Sequence, residues 1–191
     1  MDQWKVYLIG DSGVGKTSLA TKFALNFFPL KHEPTYEDVY RVQKVLDVKT
    51  TFMEIIDTGC SVGHTALSEY CVRESHAFII VYSVTSRESF NHVAQYRESI
   101  TRAVGGTHAM ITIVGNKRDL DTEREVSTLE GQRLAKELDC WFAETSARTG
   151  DNVAGLYEDG VRYLRRKSAK VQRPMPMEKE HDRKLYQFRE D

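Results

Sequence analysis

A glycine-rich stretch followed by a lysine and a threonine is the clearest candidate for chemistry in this sequence. Residues 10–17 read GDSGVGKT and match the pattern G-x-x-x-x-G-K-[ST]. Glycines let a backbone wrap around phosphate groups with its N–H groups pointing inward, and a helix N-terminus adds partial positive charge. In such loops the lysine reaches the β- and γ-phosphates, and the hydroxyl binds Mg²⁺. We therefore expect phosphate to be held by Gly10, Ser12, Gly13, Val14, Gly15, Lys16, Thr17 and Ser18.

A second motif can select the base of a nucleotide. Residues 116–119 read NKRD and follow an apolar strand pattern directly, so they are expected at the carboxyl end of a strand, where such sheets bind ligands. Asp119 can accept hydrogen bonds from guanine N1–H and the exocyclic amine, whereas adenine offers no matching pair of donors. Lys117 can lie over the base, and Asn116 can join the base loop to the phosphate loop.

A third segment extends the candidate base site. Residues 144–148 read ETSAR and follow the next short strand. Backbone N–H groups of Ser146 and Ala147 can reach guanine O6, and we place Arg148 in the same set. A phosphate loop alone is also compatible with an ATP-using enzyme, but the NKRD segment conflicts with that alternative.

The elements that would hold these loops alternate between apolar strands and helices with one apolar face. Strands are predicted at 4–9, 38–46, 50–57, 77–83, 110–115 and 140–143, and helices at 16–26, 65–74, 87–104, 127–138 and 151–167. The second and third strands are expected to form a hairpin around Asp47. This alternation predicts an α/β fold with a mostly parallel sheet that carries helices on both faces.

Taken in order, the motifs GDSGVGKT, PTYEDVY, DTG, NKRD and ETSAR make the chain resemble the Ras-type small GTPases over residues 4–168. The resemblance implies a P-loop NTPase fold of the small G domain type, with a six-stranded sheet in which one strand is antiparallel. It implies GTP and GDP as ligands, Mg²⁺ as cofactor and GTP hydrolysis as the reaction. We expect the G domain to span residues 1–170 and a flexible tail to span 171–191.

The same resemblance assigns roles to residues around the phosphates. Thr35 matches the threonine that binds Mg²⁺ and contacts the γ-phosphate, and Asp57 matches the aspartate that holds Mg²⁺ through a water. Phe28 matches an aromatic residue that packs edgewise against the base, although a purely structural role in the core is the alternative. The expected metal set is Thr17, Thr35 and Asp57, and the expected catalytic set is Lys16, Thr35 and Ser61.

Residues 57–61 correspond to the segment that the family uses as its second switch, a loop near the γ-phosphate. Here they read DTGCS and depart from the family pattern Asp-x-x-Gly-Gln. An ungapped alignment places Cys60 where the family has the glycine whose N–H senses the γ-phosphate, and Ser61 where it has the glutamine that orients the attacking water. Serine is too short to bridge a water and a phosphate oxygen, so we expect slow intrinsic hydrolysis and weak stimulation by an activating protein. A rival alignment with two compensating gaps gives the glycine role to Gly59. Cys60 is either an unreactive replacement or a redox-sensitive thiol.

Composition and charge restrict the partners and the cellular compartment that we expect for this protein. The 191 residues carry a formal net charge of -1 and three cysteines, which gives no general attraction to nucleic acid and no disulfide framework. No secretory signal or membrane span is evident, so we expect a cytoplasmic monomer. Effector proteins are expected at residues 32–40, where Glu37, Asp38 and Tyr40 match the family's effector segment, and an exchange factor and an activating protein are implied as further partners.

The C-terminal segment differs from the prenylated relatives. The chain ends in FRED and has no C-a-a-X box, so we expect no C-terminal lipid anchor. Basic residues within 165–173 are compatible with weak contact to anionic lipid, with nuclear targeting, or with a solvated helix end whose cations suit the helix dipole.

Two functions of different class are consistent with these observations. The first is a guanine-nucleotide switch that hydrolyses GTP slowly and acts in signal transduction. The second is a pseudo-GTPase that holds nucleotide as a structural cofactor and presents one fixed binding surface, which the replacements at Cys60 and Ser61 favour.

Overall fold

The computed structural model describes residues 2–29, 37–59, 74–105 and 109–171. Among the described elements, strands and helices alternate along most of the chain, apart from the three successive strands β2, β3 and β4 and the pair of helices that follows β4. In chain order they are β1 Asp2–Ile9, α1 Lys16–Leu25, β2 Glu37–Leu46, β3 Lys49–Thr58, β4 Ala77–Ser83, α2 Arg87–Asn91, α3 Val93–Val104, β5 Met110–Asn116, a short 3₁₀ turn at Asp121–Glu123, α4 Thr128–Glu137, β6 Trp141–Glu144 and α5 Val153–Val171.

The strands form one six-stranded sheet in the order β2-β3-β1-β4-β5-β6. Among these described strands, the β2–β3 pair is antiparallel and the other four pairs are parallel. The predicted hairpin is confirmed: Asp47 and Val48 form its two-residue turn with φ of 50° and 59°, a geometry that matches the twist of the flanking strands. The predicted mostly parallel sheet with one antiparallel strand is therefore confirmed.

Side chains that alternate along β1 build a core on each face of the sheet. Val6 and Leu8 belong to one buried cluster, which also includes residues of α1 and α5. Tyr7 and Ile9 belong to a second buried cluster on the opposite face, with residues of α3 and α4. Because successive residues of a strand point to opposite faces, both faces of the sheet are covered, as predicted.

One predicted element is wrong at a single residue. The expected helix over 87–104 is two helices, because the amide of His92 bonds to the carbonyl of Phe90 instead of to one four residues back. The next helix starts at once, with Tyr96 N donating to His92 O at 3.1 Å. The backbone at His92 therefore keeps helical φ and ψ, but its amide hydrogen bond spans fewer residues than in an α-helix.

Other bounds shift by a few residues. Strand β1 begins before residue 4 because Asp2 and Gln3 pair in register with Thr51 and Phe52 of β3. The last helix extends to Val171, beyond the predicted end at 167. The helix candidate at 65–74 lies outside the described residues apart from Glu74, and so do residues 172–191 of the predicted tail, so the domain boundary stays a prediction. Within the described ranges, no helix combines the length and apolarity needed to cross a membrane.

Candidate nucleotide-binding site

The glycine-rich loop joins the end of β1 to the start of α1 and is pressed against two neighbours. Gly10 has φ of 148°, and a Cβ there would lie 2.1 Å from the carbonyl oxygen of Val81 in β4. Gly15 has φ of 99°, and its Cβ would lie 2.3 Å from Asn116 Nδ2. Side chains are therefore excluded by both conformation and space at these two positions. The loop has the form expected of a phosphate cradle.

Lys16, the first residue of α1, is buried and folds back along this loop. Its Nζ donates to the carbonyl oxygens of Gly10 and Asp11, each at 2.8 Å. The ammonium group is thus held against the loop by backbone oxygens. This places one positive charge where the loop would receive an anion.

Thr17 and Asp57 bring two oxygen ligands together. Thr17 Oγ1 donates to Asp57 Oδ2 at 2.6 Å, although the residues are 40 positions apart. Asp57 is fully buried near the end of β3. A hydroxyl and a carboxylate are the hard oxygen donors that Mg²⁺ prefers, so these two residues fit the expected ion. Across the described ranges, no group of three or more His, Cys, Asp or Glu side chains is placed to hold a metal.

Asn116 connects the phosphate loop to the base loop. Its Nδ2 donates to Val14 O at 2.9 Å, and its Oδ1 accepts from Thr145 Oγ1 and from Ala147 N, each at 3.2 Å. The side chain is almost fully buried. One amide group thereby makes three hydrogen bonds to two separate loops, and these bonds fix the spacing between the loops.

The remaining residues expected around the base lie in adjacent loops. Asp119 is exposed, and its Oδ1 accepts from Ser146 Oγ at 2.6 Å. Lys117 has φ of 68°, which turns the chain sharply after β5. Phe28 is partly buried against the core cluster that contains α1, and Arg148 is exposed. The structure thus brings the NKRD and ETSAR segments together, as their predicted positions required. The amides of Ser146 and Ala147, which were expected to reach guanine O6, instead donate within the protein, to Asp151 O at 3.1 Å and to Asn116 Oδ1 at 3.2 Å.

A buried ion pair that no sequence pattern predicts joins the ETSAR segment to the chain that follows the NKRD loop. Arg124 Nη1 and Nη2 donate to the two carboxylate oxygens of Glu144 at 2.8 and 3.2 Å. The side chains are 17% and 7% exposed. Glu144 begins the ETSAR segment, and Arg124 follows the NKRD loop after one 3₁₀ turn. No local motif marks Arg124, because its partner is defined only by the folded chain.

The start of β2 lies beside the end of β3, where Asp38 pairs in register with Asp57. Burial raises the pKa of Tyr40, and the carboxylates of Asp38 and Asp57 raise it further. The phenol of Tyr40 therefore stays neutral at neutral pH. Of the predicted effector segment 32–40, residues 37–40 belong to the described strand β2.

Three predicted site residues, Thr35, Cys60 and Ser61, lie outside the described residues. Their roles rest on the sequence alone.

Comparison with known proteins decides the family. The family model described as Ras family matches residues 5–166. The chain belongs to the Ras family. It is 39% identical over 188 residues to Ras-like protein 1 of Pyricularia oryzae, a match that covers 89% of this chain and 78% of the relative. It is 39% identical to Ras-like protein rasX of Dictyostelium discoideum, with 85% of this chain and 76% of the relative covered. It is also 39% identical to Ras-like protein 1 of Saccharomyces cerevisiae, of which it spans 53%.

Membership in the Ras family supports a GTP-binding signalling switch. Members of this family are GTPases, bind GTP and GDP, and generally interact with effectors, exchange factors and activating proteins. The predicted resemblance is confirmed.

Proposed function

We propose that this chain is a Mg²⁺-dependent guanine-nucleotide switch whose intrinsic GTP hydrolysis is slow. The observation that carries the proposal is the position of Asn116. Its amide ties Val14 of the phosphate loop to Thr145 and Ala147 of the base loop. Two loops held at a fixed spacing suit a nucleotide, which has phosphates at one end and a base at the other.

The base end favours guanine. Asp119 is a carboxylate that accepts a hydrogen bond from Ser146 at 2.6 Å and is exposed at the loop surface. The Ser146 hydroxyl holds it in one orientation, which leaves acceptor capacity for the two donors on the guanine edge. A carboxylate placed against adenine would find no such pair of donors, and its desolvation would then be uncompensated.

The phosphate end favours a nucleotide with a bound metal ion. We assign Thr17, Asp57 and Thr35 to the Mg²⁺ site, because the first two bring oxygen atoms to 2.6 Å and the third matches the family motif. Mg²⁺, when bound, neutralises phosphate charge that develops during transfer. Lys16 supplies a second positive charge from the loop. Its present carbonyl partners, Gly10 and Asp11, are neutral acceptors that a phosphate oxygen can replace.

Hydrolysis should be slow because of the second switch. Ser61 stands where the family has a water-orienting glutamine, and Cys60 stands where it has a flexible glycine. Loss of water positioning removes a proximity effect, and each ~1.4 kcal/mol of barrier corresponds to about tenfold in rate. The same two replacements favour the second candidate, a pseudo-GTPase that keeps its nucleotide and presents a fixed surface.

The partners follow from the family and from β2. Effector proteins would contact residues 32–40, and exchange factors and activating proteins would act on the nucleotide cycle in the cytoplasm. Weak contact of residues 165–173 with anionic membrane surfaces is also part of the proposal. It would rest on the basic side chains other than Arg165, which is 16% exposed and pairs with Asp2 at 2.7 Å.

Base specificity tests the proposal directly. Purified protein in Mg²⁺ should bind GDP and GTP far more tightly than ADP or ATP in a fluorescence competition assay. Asp119→Asn replaces one acceptor oxygen by an amide donor, which suits the C2 carbonyl of xanthine, so it should weaken GDP binding and strengthen XDP binding. Asp151→Asn, in the neighbouring loop, should change neither. Equal affinity for ADP and GDP would refute the assignment.

A further inference from the structure

The phosphate loop contains an acidic residue that is tied to the second half of the fold. Asp11 Oδ2 lies 2.8 Å from His92 Nδ1, and Asp11 Oδ1 accepts from Tyr96 OH at 2.7 Å. The Asp11 and His92 side chains are 18% and 32% exposed. Both carboxylate oxygens are therefore engaged by residues 81 and 85 positions away along the chain.

An acidic side chain is unfavourable in a loop that receives phosphate. Glycine-rich loops hold anions with backbone N–H groups and a helix N-terminus, and a nearby carboxylate opposes both. Asp11 cannot be far from the anion, because its own carbonyl oxygen accepts from Lys16 Nζ at 2.8 Å. Its charge must therefore be turned away or neutralised for tight phosphate binding.

The partners of Asp11 lie at and just after the junction between α2 and α3. His92 stands at the junction of the two helices, and Tyr96 follows four residues later, so the two side chains share one face. That face meets Asp11.

We propose that His92 and Tyr96 are positioning residues that hold the Asp11 carboxylate on the α3 side of the phosphate loop, away from the bound phosphates. The inference rests on the proposed role of residues 10–17 in phosphate binding. It assigns a function to two residues that belong to no nucleotide motif. Phosphate affinity in this chain then depends on helix α3 as well as on the loop itself.

A rescue experiment separates this role from a structural one. The rate of release of fluorescent GDP is measured for the full chain and for His92→Ala/Tyr96→Phe, with and without Asp11→Ala. Arg102→Ala serves as the matched control, because Arg102 lies on α3 and its ion pair with Glu98 is exposed. The same rates are measured with fluorescent GMP and over a range of salt concentration. Tyr96→Phe alone provides a milder variant if the double variant folds poorly.

The expected result is release of GDP about tenfold faster from the double variant, since a freed carboxylate repels the phosphates. GMP release should change less, added salt should reduce the effect, and Asp11→Ala should restore slow release. Wild-type release rates in the double variant, equal acceleration of GDP and GMP, or no rescue by Asp11→Ala would each overturn the inference. Lys16→Ala tests the proposed site separately: unchanged GDP affinity there would remove the phosphate loop from nucleotide binding altogether.

Discussion

The ion pair between Arg124 and Glu144 offers the sharpest test of how the base loops are held. The guanidinium meets both carboxylate oxygens and also donates to the carbonyl oxygen of Val126 at 3.0 Å. The hydrogen bond to Glu144 raises the pKa of Arg124, and a further bond to the exposed Asp121 adds to the effect. We therefore consider three changes: Arg124→Ala, Glu144→Gln and the two combined.

The magnitude follows from burial. Removing one partner of a buried ion pair costs about 3–5 kcal/mol, because the remaining charge is left uncompensated. The charge that Arg124→Ala leaves behind is Glu144, which is 7% exposed in the intact pair, and loss of the arginine side chain admits water that relieves part of this penalty. We expect Arg124→Ala to lower the free energy of unfolding by about 3 kcal/mol. Because the remaining charge is absent from the double variant, its loss should be smaller than the sum of the single losses by about 2 kcal/mol. Arg124→Lys should retain only part of the stability, since an ammonium cannot match the carboxylate fork.

The assay is urea denaturation at fixed GDP and Mg²⁺ concentrations, together with the rate of GDP release. Release should accelerate in both single variants, because the ETSAR segment loses its buried ion pair to the chain that follows the NKRD loop, although it keeps the link through Asn116. Arg118→Ala removes a solvent-exposed ion pair with Asp151 in the same region and is the matched control. A coupling energy below about 0.5 kcal/mol, or an Arg124→Lys variant that is indistinguishable from wild type, would show that Arg124 and Glu144 do not stabilise the fold as a buried ion pair.

Two further predictions concern stability. Burial raises the pKa of Asp2, but hydrogen bonds from an arginine of α5 and a threonine of β3 outweigh this and lower the pKa to about 2. Ionised Asp2 therefore stabilises the folded form by about 1–2 kcal/mol above pH ~4, and this contribution is lost as the pH falls towards 2. Asp2→Asn should remove this pH dependence and so flatten that part of an acid-denaturation curve. Gly160→Ala in α5 should raise the free energy of unfolding by about 0.5–1 kcal/mol, because alanine favours a helix and the added Cβ meets only Met110, at 3.8 Å. Gly131→Ala in α4 should lower the free energy of unfolding by about 1–3 kcal/mol, because its Cβ would lie 2.5 Å from Phe142. Denaturation of the two glycine variants side by side checks both signs, and a stabilising Gly131→Ala would contradict the packing.

Local pattern was enough to predict most of the fold and the centre of the site. The phosphate loop and the NKRD segment each follow an apolar strand, so their positions at the ends of β1 and β5 could be predicted without knowledge of distant contacts. The role of Asn116 as a link between the loops could also be predicted, and its contact with Val14 confirms the connection.

Contacts between distant segments could not be predicted in this way. The interruption at His92 leaves the helical pattern of 87–104 unchanged, because the residue keeps helical φ and ψ and only its amide partner differs. The partners of Asp11 and Arg124 lie 81 and 20 residues away, respectively. Hydrogen-bond partners at such separations depend on how α3 and the loops pack on the sheet, and no periodicity in one segment encodes them.

The most direct test of the proposed function is single-turnover hydrolysis of GTP in Mg²⁺, measured for the wild-type chain beside Cys60→Gly/Ser61→Gln. We expect slow hydrolysis by the wild type and a rate about tenfold or more higher in the double variant, because the restored glutamine can orient the attacking water. If wild type hydrolyses GTP as fast as the double variant, the proposed defect in the second switch is contradicted. If both proteins bind GTP and neither hydrolyses it, the pseudo-GTPase becomes the better explanation of the protein's function.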